Sequence, residues 1–221
     1  MKIINISILT FLPLIIMINS LNGCSNKQHD YKGYETPEYD VLEKYNNSIE
    51  IRKYKNFIVA EINVEGSREE SIRKGFPLLA KYIFGDNKVQ KEIKMSSPVM
   101  QNKVDNIKIG MTSPVIQKSS SKDMWTVQFI MPKIYNLENL PTPNSNEIKF
   151  KEVKNKKVIA VKFSGRWNDT NIQSNINLLK EFILSNGIIV KDNYQILYYD
   201  DPFTFPWNRR NEIIFEIDNK I

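Results

Sequence analysis

The sequence predicts an α+β domain whose antiparallel strands form a distorted β-barrel flanked by two helices. One observation is a period-two alternation of apolar and polar residues that begins at Ile49, as in strands with one buried face. Another is an internal repeat, in which IEIRKYKNFIVAEINVEG (49–66) aligns without a gap on IKFKEVKNKKVIAVKFSG (148–165). Because a helical pattern and further strands follow each copy, we expect two βαββ-like repeats.

A capping box opens each of the two predicted helices. Ser67 and Glu70 form the first box, and Thr170 and Gln173 form the second. Apolar residues recur at helical spacing after each box. Pro77 cannot donate a hydrogen bond inside the first helix, so it either kinks that helix or marks its start. Further strands are predicted at residues 93–101, 109–117, 125–131, 195–200 and 212–217.

The composition excludes most catalytic chemistry. The 221 residues contain one cysteine and one histidine, Cys24 and His29, and both lie close to the N-terminus. A cysteine nucleophile, a Ser-His-Asp triad, a Cys/His zinc site and a disulfide framework all need residues that the rest of the chain lacks. We therefore expect a protein that is not an enzyme and has no metal site of this kind.

The charge pattern gives no sign of a nucleic-acid partner. The formal net charge is +6, from 31 basic and 25 acidic residues. Acidic and basic side chains are interleaved along the chain, and no run of lysine and arginine with interspersed aromatic residues suggests a groove for phosphates. We expect this protein to bind no nucleic acid.

The first 35 residues indicate export and attachment to a membrane. Residues 1–23 have the layout of a signal peptide, since the apolar stretch after Lys2 is short for a membrane span. Leu21-Asn22-Gly23-Cys24 resembles the bacterial lipoprotein box, which makes Cys24 the expected lipidation site, and residues 24–35 form a lipid-anchored flexible tether. The alternative is an uncleaved apolar anchor with a chance cysteine. We expect an exported, membrane-anchored lipoprotein that faces the periplasm or the cell exterior.

A short repeated motif identifies a family resemblance. The segments MSSPV (95–99) and MTSPV (111–115) resemble the paired Met-Thr/Ser-small-Pro-Val segments of the SOUL haem-binding family. Further strings similar to the family stand in the expected order: YDVLEKYNNSIEIRKY (39–54), GFPLLAKYIFG (75–85), WTVQFIMP (125–132), LENLPTPN (137–144), FSGRW (163–167) and RRNEIIFEI (209–217). The resemblance covers about residues 36–218, and residues 36–221 are the predicted SOUL-like domain.

The resemblance implies that haem or another tetrapyrrole binds, without a covalent bond, in a shallow cleft beside the first helix and the loop before the last strand. A porphyrin is an apolar plate with anionic propionates, so such a cleft needs apolar walls and cations at its edge. The candidate residues for one wall are Phe76, Leu79, Tyr82 and Ile83, and those for the other are Tyr198, Tyr199, Pro202, Phe203, Phe205 and Trp207, with Arg209 and Arg210 for the propionates.

The same residues have a purely structural interpretation. Phe76, Leu79 and Ile83 have the spacing of any packed helix, and an aromatic loop beside a barrel often closes a core. Arg209 and Arg210 have acidic neighbours, Asp200, Asp201 and Glu212, with which they could pair.

The chain departs from the family at a position where some members carry a histidine that coordinates iron. In this chain the corresponding segment is Arg52-Lys53-Tyr54, with Lys53 at the position of the histidine. A lysine binds iron only when it has lost its proton. We therefore expect a cofactor to be held without a histidine axial ligand, with Lys53 as the residue in the ligand slot.

The leading hypothesis is non-catalytic binding of haem, another tetrapyrrole or a similar flat hydrophobic ligand at the cell envelope. One alternative is an envelope module that binds a different small hydrophobic ligand or another protein. Another is a hydrolase that uses carboxylates, such as Glu61 or Glu65 together with Glu152 or Asp200. The expected partners are a small hydrophobic ligand and, through the N-terminal lipid, a membrane.

Overall fold

The computed structural model describes residues 30–103 and 123–218. The predicted signal peptide, Cys24, the predicted strand at 109–117 and its MTSPV segment lie outside the described residues. None of the helices in the described ranges is long and apolar enough to cross a membrane.

The described residues form eleven strands and two α-helices. The strands are β1 (Asp30–Tyr31), β2 (Tyr34–Glu35), β3 (Tyr39–Tyr45), β4 (Ile49–Tyr54), β5 (Phe57–Glu65), β6 (Val99–Lys103), β7 (Met124–Ile130), β8 (Lys149–Val153), β9 (Lys157–Phe163), β10 (Val190–Tyr198) and β11 (Asn211–Ile217). The helices are α1 (Arg68–Ile83) and α2 (Asp169–Ser185), and a single 3-10 turn covers Pro206–Asn208. The predicted α+β class is confirmed.

Nine of the strands form one antiparallel sheet, in the order β3-β4-β9-β11-β10-β6-β7-β5-β8. The end strands β3 and β8 do not pair with each other in the described residues, so the sheet expected as a distorted barrel is a curled half-barrel. Side chains from both ends of the sheet, Tyr39 on β3 and Val153 on β8, belong to one apolar cluster inside the curl. The apolar cluster therefore includes residues from both edge strands, although no backbone pairing joins these strands in the described residues.

The two helices cover the other face of the sheet. Residues of α1 pack with β5, β6 and β7 in one hydrophobic cluster, and residues of α2 pack with β4, β9, β10 and β11 in another. The order strand, strand, helix, strand, strand occurs from β4 to β7 and again from β8 to β11. That these segments are βαββ repeats of each other stays a prediction.

The capping prediction is right for α1 and wrong for α2. At α1 the Glu70 backbone N–H donates to Ser67 Oγ (3.2 Å), and the Ser67 N–H donates to Glu70 Oε2 (2.9 Å). At α2 the cap is Asn168, whose Oδ1 accepts the N–H of Asn171 (2.9 Å). Asparagine caps as well as threonine does, so the helix begins before the predicted Thr170 box.

The predicted strand at 93–101 is shorter in the structure. Only Val99–Lys103 forms a strand, β6. The preceding residues run as an irregular segment that contains a cis peptide bond between Ser97 and Pro98 and is fastened to α1 by a hydrogen bond from the Ile93 N–H to the Ile83 carbonyl (2.7 Å). This segment forms one side of the cavity described below.

A buried ion cluster crosses the inside of the half-barrel. Glu212 on β11 is fully buried, and its Oε2 lies 2.6 Å from Arg52 Nη1 on β4. Its Oε1 lies 2.7 Å from Arg210 Nη2, and Tyr199 Oη donates to Oε2 at 3.2 Å. Burial alone would raise the pKa of Glu212, but the two guanidinium groups outweigh burial and lower the pKa of that carboxyl.

We expect Glu212→Gln to destabilise the fold by about 3–5 kcal/mol, because it removes the fully buried carboxylate that pairs with both Arg52 and Arg210. Glu50→Gln is the matched control: Glu50 also contacts Arg52 (2.8 Å) but is partly exposed, so its removal should cost about 0–1 kcal/mol. Denaturant unfolding measures both values.

The pH dependence gives a second measure of the same cluster. Because the pKa of Glu212 is lowered in the folded state, its stabilising effect is present above the ordinary glutamate pKa of about 4.3 and is lost as the pH falls through the lowered value. The stability gap between wild type and Glu212→Gln should therefore narrow in acid. A gap that stays constant from pH 7 into strong acid would contradict this account.

Candidate ligand-binding cavity

A cavity of about 560 Å³ lies between the first half of α1, the irregular segment before β6 and the chain that follows β10. This volume falls within the range of small-molecule sites. The lining residues are Lys32, Tyr34, Arg68, Glu69, Ile72, Arg73, Phe76, Pro77, Met95, Ser96, Ser97, Val99, Trp167, Tyr198, Tyr199, Asp200, Asp201 and Pro202.

The apolar wall of the cavity comes mainly from α1. Ile72 and Phe76 are one helical turn apart, so they share a face. The helix lies close to the sheet at Gly75, where a β-carbon would lie only 2.9 Å from Val127 Cγ2. The ring of Phe76 meets that of Phe129 edge to face, with centroids 5.1 Å apart. Glycine therefore sets the helix position that leaves these side chains on the cavity wall.

The hydroxyl of Tyr198 lies at the cavity, and it already accepts and donates a hydrogen bond within the protein. Its Oη accepts a hydrogen bond from Arg68 Nη1 (3.2 Å) and donates one to Gln101 Oε1 (3.1 Å). Burial raises the pKa of Tyr198 to about 12, even though the nearby Arg68 opposes this shift. The phenol is therefore protonated near neutral pH and is not a ready phenolate ligand for a metal.

Asp200 fastens the N-terminal hairpin to the edge of the cavity. Its carboxylate accepts hydrogen bonds from Tyr31 Oη (3.0 Å), Lys32 Nζ (2.5 Å) and the Arg210 backbone N–H (2.6 Å). The hairpin consists of β1 and β2, which turn through Gly33 at φ +84°. Residues 30–35, the last part of the predicted tether, therefore form a hairpin that contacts the domain.

Two polar groups at the cavity form no hydrogen bond or ion pair within the described residues. Ser96 is buried, and its Oγ forms no hydrogen bond there. Arg73 on α1 is exposed and forms no ion pair in the same ranges. The described residues also contain no group of three histidine, cysteine or acidic side chains that could hold a metal ion. The cavity therefore offers a hydroxyl and a cation beside apolar walls.

The structure brings together only part of the predicted site. Phe76, Tyr198, Tyr199 and Pro202 line the cavity. Leu79, Tyr82 and Ile83 do not, because they point into the α1 cluster and are at most 1% exposed. The Tyr82 hydroxyl donates to the carbonyl of Pro141 (2.9 Å), so even its polar end is used by the fold.

The other predicted residues also lie elsewhere. Lys53 is exposed on β4, and Phe203, Phe205 and Trp207 project into solvent. Arg209 donates to the carbonyls of Thr204 (2.8 Å) and Pro202 (2.7 Å). Arg210 is paired with Glu212 inside the ion cluster, as the structural interpretation anticipated. These two guanidinium groups are thus engaged by the protein itself.

Sequence reasoning missed several lining residues. Met95 and Ser96 belong to the MSSPV motif, and Trp167 ends the FSGRW string, so both motifs carried a usable signal. Ile72 and Arg73 had the weaker signal of a helix position adjacent to Phe76.

The comparison with protein families decides which family this is. The model of the SOUL heme-binding protein family matches residues 34–216. The chain belongs to this family. No curated protein matches the SOUL chain.

Solved structures similar to this SOUL-family chain share its fold at low identity. The C-terminal domain of EcmrR has a TM-score of 0.55 and 11% identity, over 81% of this chain and 98% of that one. A hydrolase from Listeria innocua has a TM-score of 0.52 and 9% identity, over 77% and 92% of the two chains. An uncharacterised conserved protein from the same organism has a TM-score of 0.52 and 10% identity over the same shares.

The variants Tyr82→Ala and Trp207→Ala test the placement of the two predicted walls. We expect Tyr82→Ala to cost about 3–5 kcal/mol of stability, because it empties a buried site. Trp207 is 68% exposed, so Trp207→Ala should change stability by about 0.5 kcal/mol or less. Porphyrin affinity per folded molecule should be unchanged in both variants. A loss of affinity without a loss of stability would place the ligand site away from the cavity.

Proposed function

We propose that this SOUL-family protein binds haem, another tetrapyrrole or a similarly flat hydrophobic molecule in the cavity beside α1, and that it catalyses no reaction on it. The observation that carries the proposal is the coincidence of the family match with an apolar cavity of suitable volume. Apolar walls with a few polar groups are the usual composition of a small-molecule site.

The residues present suit an apolar plate with an anionic edge. Ile72, Phe76 and Met95 would contact the ring, because they are the apolar side chains of α1 and of the segment opposite it. Arg73 would meet a carboxylate, since it is exposed at the cavity and forms no ion pair in the described ranges. When bound, a tetrapyrrole supplies a large apolar surface and, if it carries iron, a metal with open axial positions.

The residues suit the iron less well. The single histidine, His29, precedes the domain, and we propose that no histidine ligates the metal. The cavity residues that could approach iron are Met95 and the phenols of Tyr34, Tyr198 and Tyr199. Burial raises the pKa of Tyr199 well above that of a free tyrosine, and its hydroxyl is bonded to Glu212. Binding should therefore depend on the shape and the apolar surface of the ring.

The carboxylates considered for a hydrolase do not favour catalysis at this cavity. Of Glu61, Glu65, Glu152 and Asp200, only Asp200 lines it, and Asp200 already accepts three hydrogen bonds. Glu61 accepts a hydrogen bond from Gln128 Nε2 (2.7 Å) in the sheet. The similar structure named as a hydrolase supports a common fold alone.

We further propose that the protein acts at the cell envelope. The support is the sequence of the N-terminus, a signal-peptide pattern followed by a lipoprotein-like box that ends at Cys24. A lipid at Cys24 would fix the binding domain to a membrane in which hydrophobic ligands accumulate.

We expect Ile72→Glu to weaken binding of metal-free protoporphyrin by about tenfold or more, because it places a charge in the apolar cavity and opposes the propionates. Leu178→Glu is the matched control, since Leu178 is exposed on α2 and outside the cavity. Fluorescence titration measures the affinities, and thermal unfolding checks that both variants fold. Equal affinities for Ile72→Glu, Leu178→Glu and wild type would contradict the proposed site.

Replacing Cys24 with serine tests the anchor. The variant should lose the mass of the lipid and move from the membrane fraction, or should retain its signal peptide uncleaved, because serine has no thiol to form the thioether. Mass spectrometry and membrane fractionation measure these changes. A mass that changes only by the replacement of sulfur with oxygen, together with an unchanged membrane fraction, would exclude lipidation at Cys24.

A further inference from the structure

The loop after β10 carries three aromatic side chains that the fold leaves in solvent. Phe203 is 94% exposed, Phe205 is 62% exposed and Trp207 is 68% exposed. The rings of Phe205 and Trp207 stack on each other, with centroids 4.9 Å apart and planes inclined by 8°. Large aromatic residues normally contribute to a core, so a cluster exposed at one place indicates a contact surface.

Hydrogen bonds hold this loop in shape without burying its rings. Asp201 Oδ1 accepts the backbone N–H groups of Phe203 (2.7 Å) and Thr204 (2.9 Å). Arg209 Nε donates to the carbonyl of Thr204 (2.8 Å), and the Arg209 Cζ lies 4.4 Å from the centroid of the Trp167 ring. The aromatic side chains therefore project from an ordered backbone.

The N-terminal hairpin enters the fold beside the same loop. Tyr31 and Lys32 both bond to Asp200, the residue that precedes Asp201. Only five residues separate Cys24 from Asp30, so the expected lipid site lies within about 20 Å of the hairpin, at roughly 3.5 Å for each residue. An anchor at Cys24 would bring the loop close to the bilayer.

We propose that Phe203, Phe205 and Trp207 form a docking surface for the interface of a lipid bilayer. Tryptophan and phenylalanine are suited to that interface, where an apolar ring meets a wet headgroup layer. The charges beside them, Asp201 and Arg209, cancel, so docking does not require anionic lipid. Because Asp201 and Pro202 also line the cavity, docking turns this edge of the cavity towards the membrane.

The docking surface rests in part on the proposed anchor and not on the identity of the cavity ligand. The test uses the full chain with phosphatidylcholine vesicles whose acyl chains carry bromine, which quenches tryptophan at close range. Sedimentation with vesicles reports the anchor, and quenching of Trp207 reports docking. We expect sedimentation together with quenching of a fluorescence component that disappears in Trp207→Phe.

A matched control places a tryptophan far from the loop. Leu184 is 79% exposed near the end of α2, whereas the start of α2 lies beside the loop, so the two sites are about 25 Å apart along the helix. In a Trp207→Phe background, Leu184→Trp should sediment with vesicles, and the fluorescence component that Leu184→Trp adds should not be quenched.

Other outcomes overturn the proposal. Sedimentation without quenching of Trp207 would leave the anchor intact and exclude docking by the loop, whereas failure to sediment would exclude both. A blue shift of Trp207 that depends on protein concentration and appears without vesicles would assign the surface to a second copy of the chain. Quenching seen only when anionic lipid is added, and retained in the double variant Phe203→Ser/Phe205→Ser, would show an electrostatic contact instead.

Discussion

The buried carboxylate of Glu212 is the contact on which the geometry of the site depends. It pairs with Arg52 on β4 and with Arg210 just before β11. It also accepts a hydrogen bond from the hydroxyl of Tyr199, which follows β10. Arg210 also stacks 4.0 Å from the Tyr199 ring centroid, and its backbone N–H bonds to Asp200. These hydrogen bonds and ion pairs form one connected network. The network therefore fixes where β10 ends and where the cavity and the aromatic loop begin.

The cavity differs from a metal centre in the way its polar groups are used. Tyr198 and Arg68 are bonded to each other, and Asp200 is bonded to the N-terminal hairpin. A polar group that already has its hydrogen-bond partners in the protein gains little free energy by turning towards a ligand. The ligand must therefore be selected by the apolar wall, by Arg73 and by the hydroxyl of Ser96. This arrangement suits recognition by shape and hydrophobic surface.

Sequence periodicity predicted the elements better than it predicted the site. Alternation located β4, β5 and β9, because burial on one face of a sheet leaves a period of two. On α1 the same helical spacing fits Leu79 and Ile83, which are buried, and Ile72 and Phe76, which line the cavity. The position of the helix on the sheet decides which of these residues are buried and which line the cavity. Long-range contacts set that position, so the helical spacing alone does not predict it. The exposed loop was unpredictable for the same reason, since an aromatic residue carries no local sign of its burial.

Parallel titration of the full chain with haem and with metal-free protoporphyrin tests the central claim most directly. If the apolar cavity holds the ring and the protein supplies no strong axial ligand, the two dissociation constants should agree within about tenfold, a difference of about 1.4 kcal/mol. Haem binding more than about a hundredfold tighter than metal-free porphyrin, or no binding of either, would contradict this account.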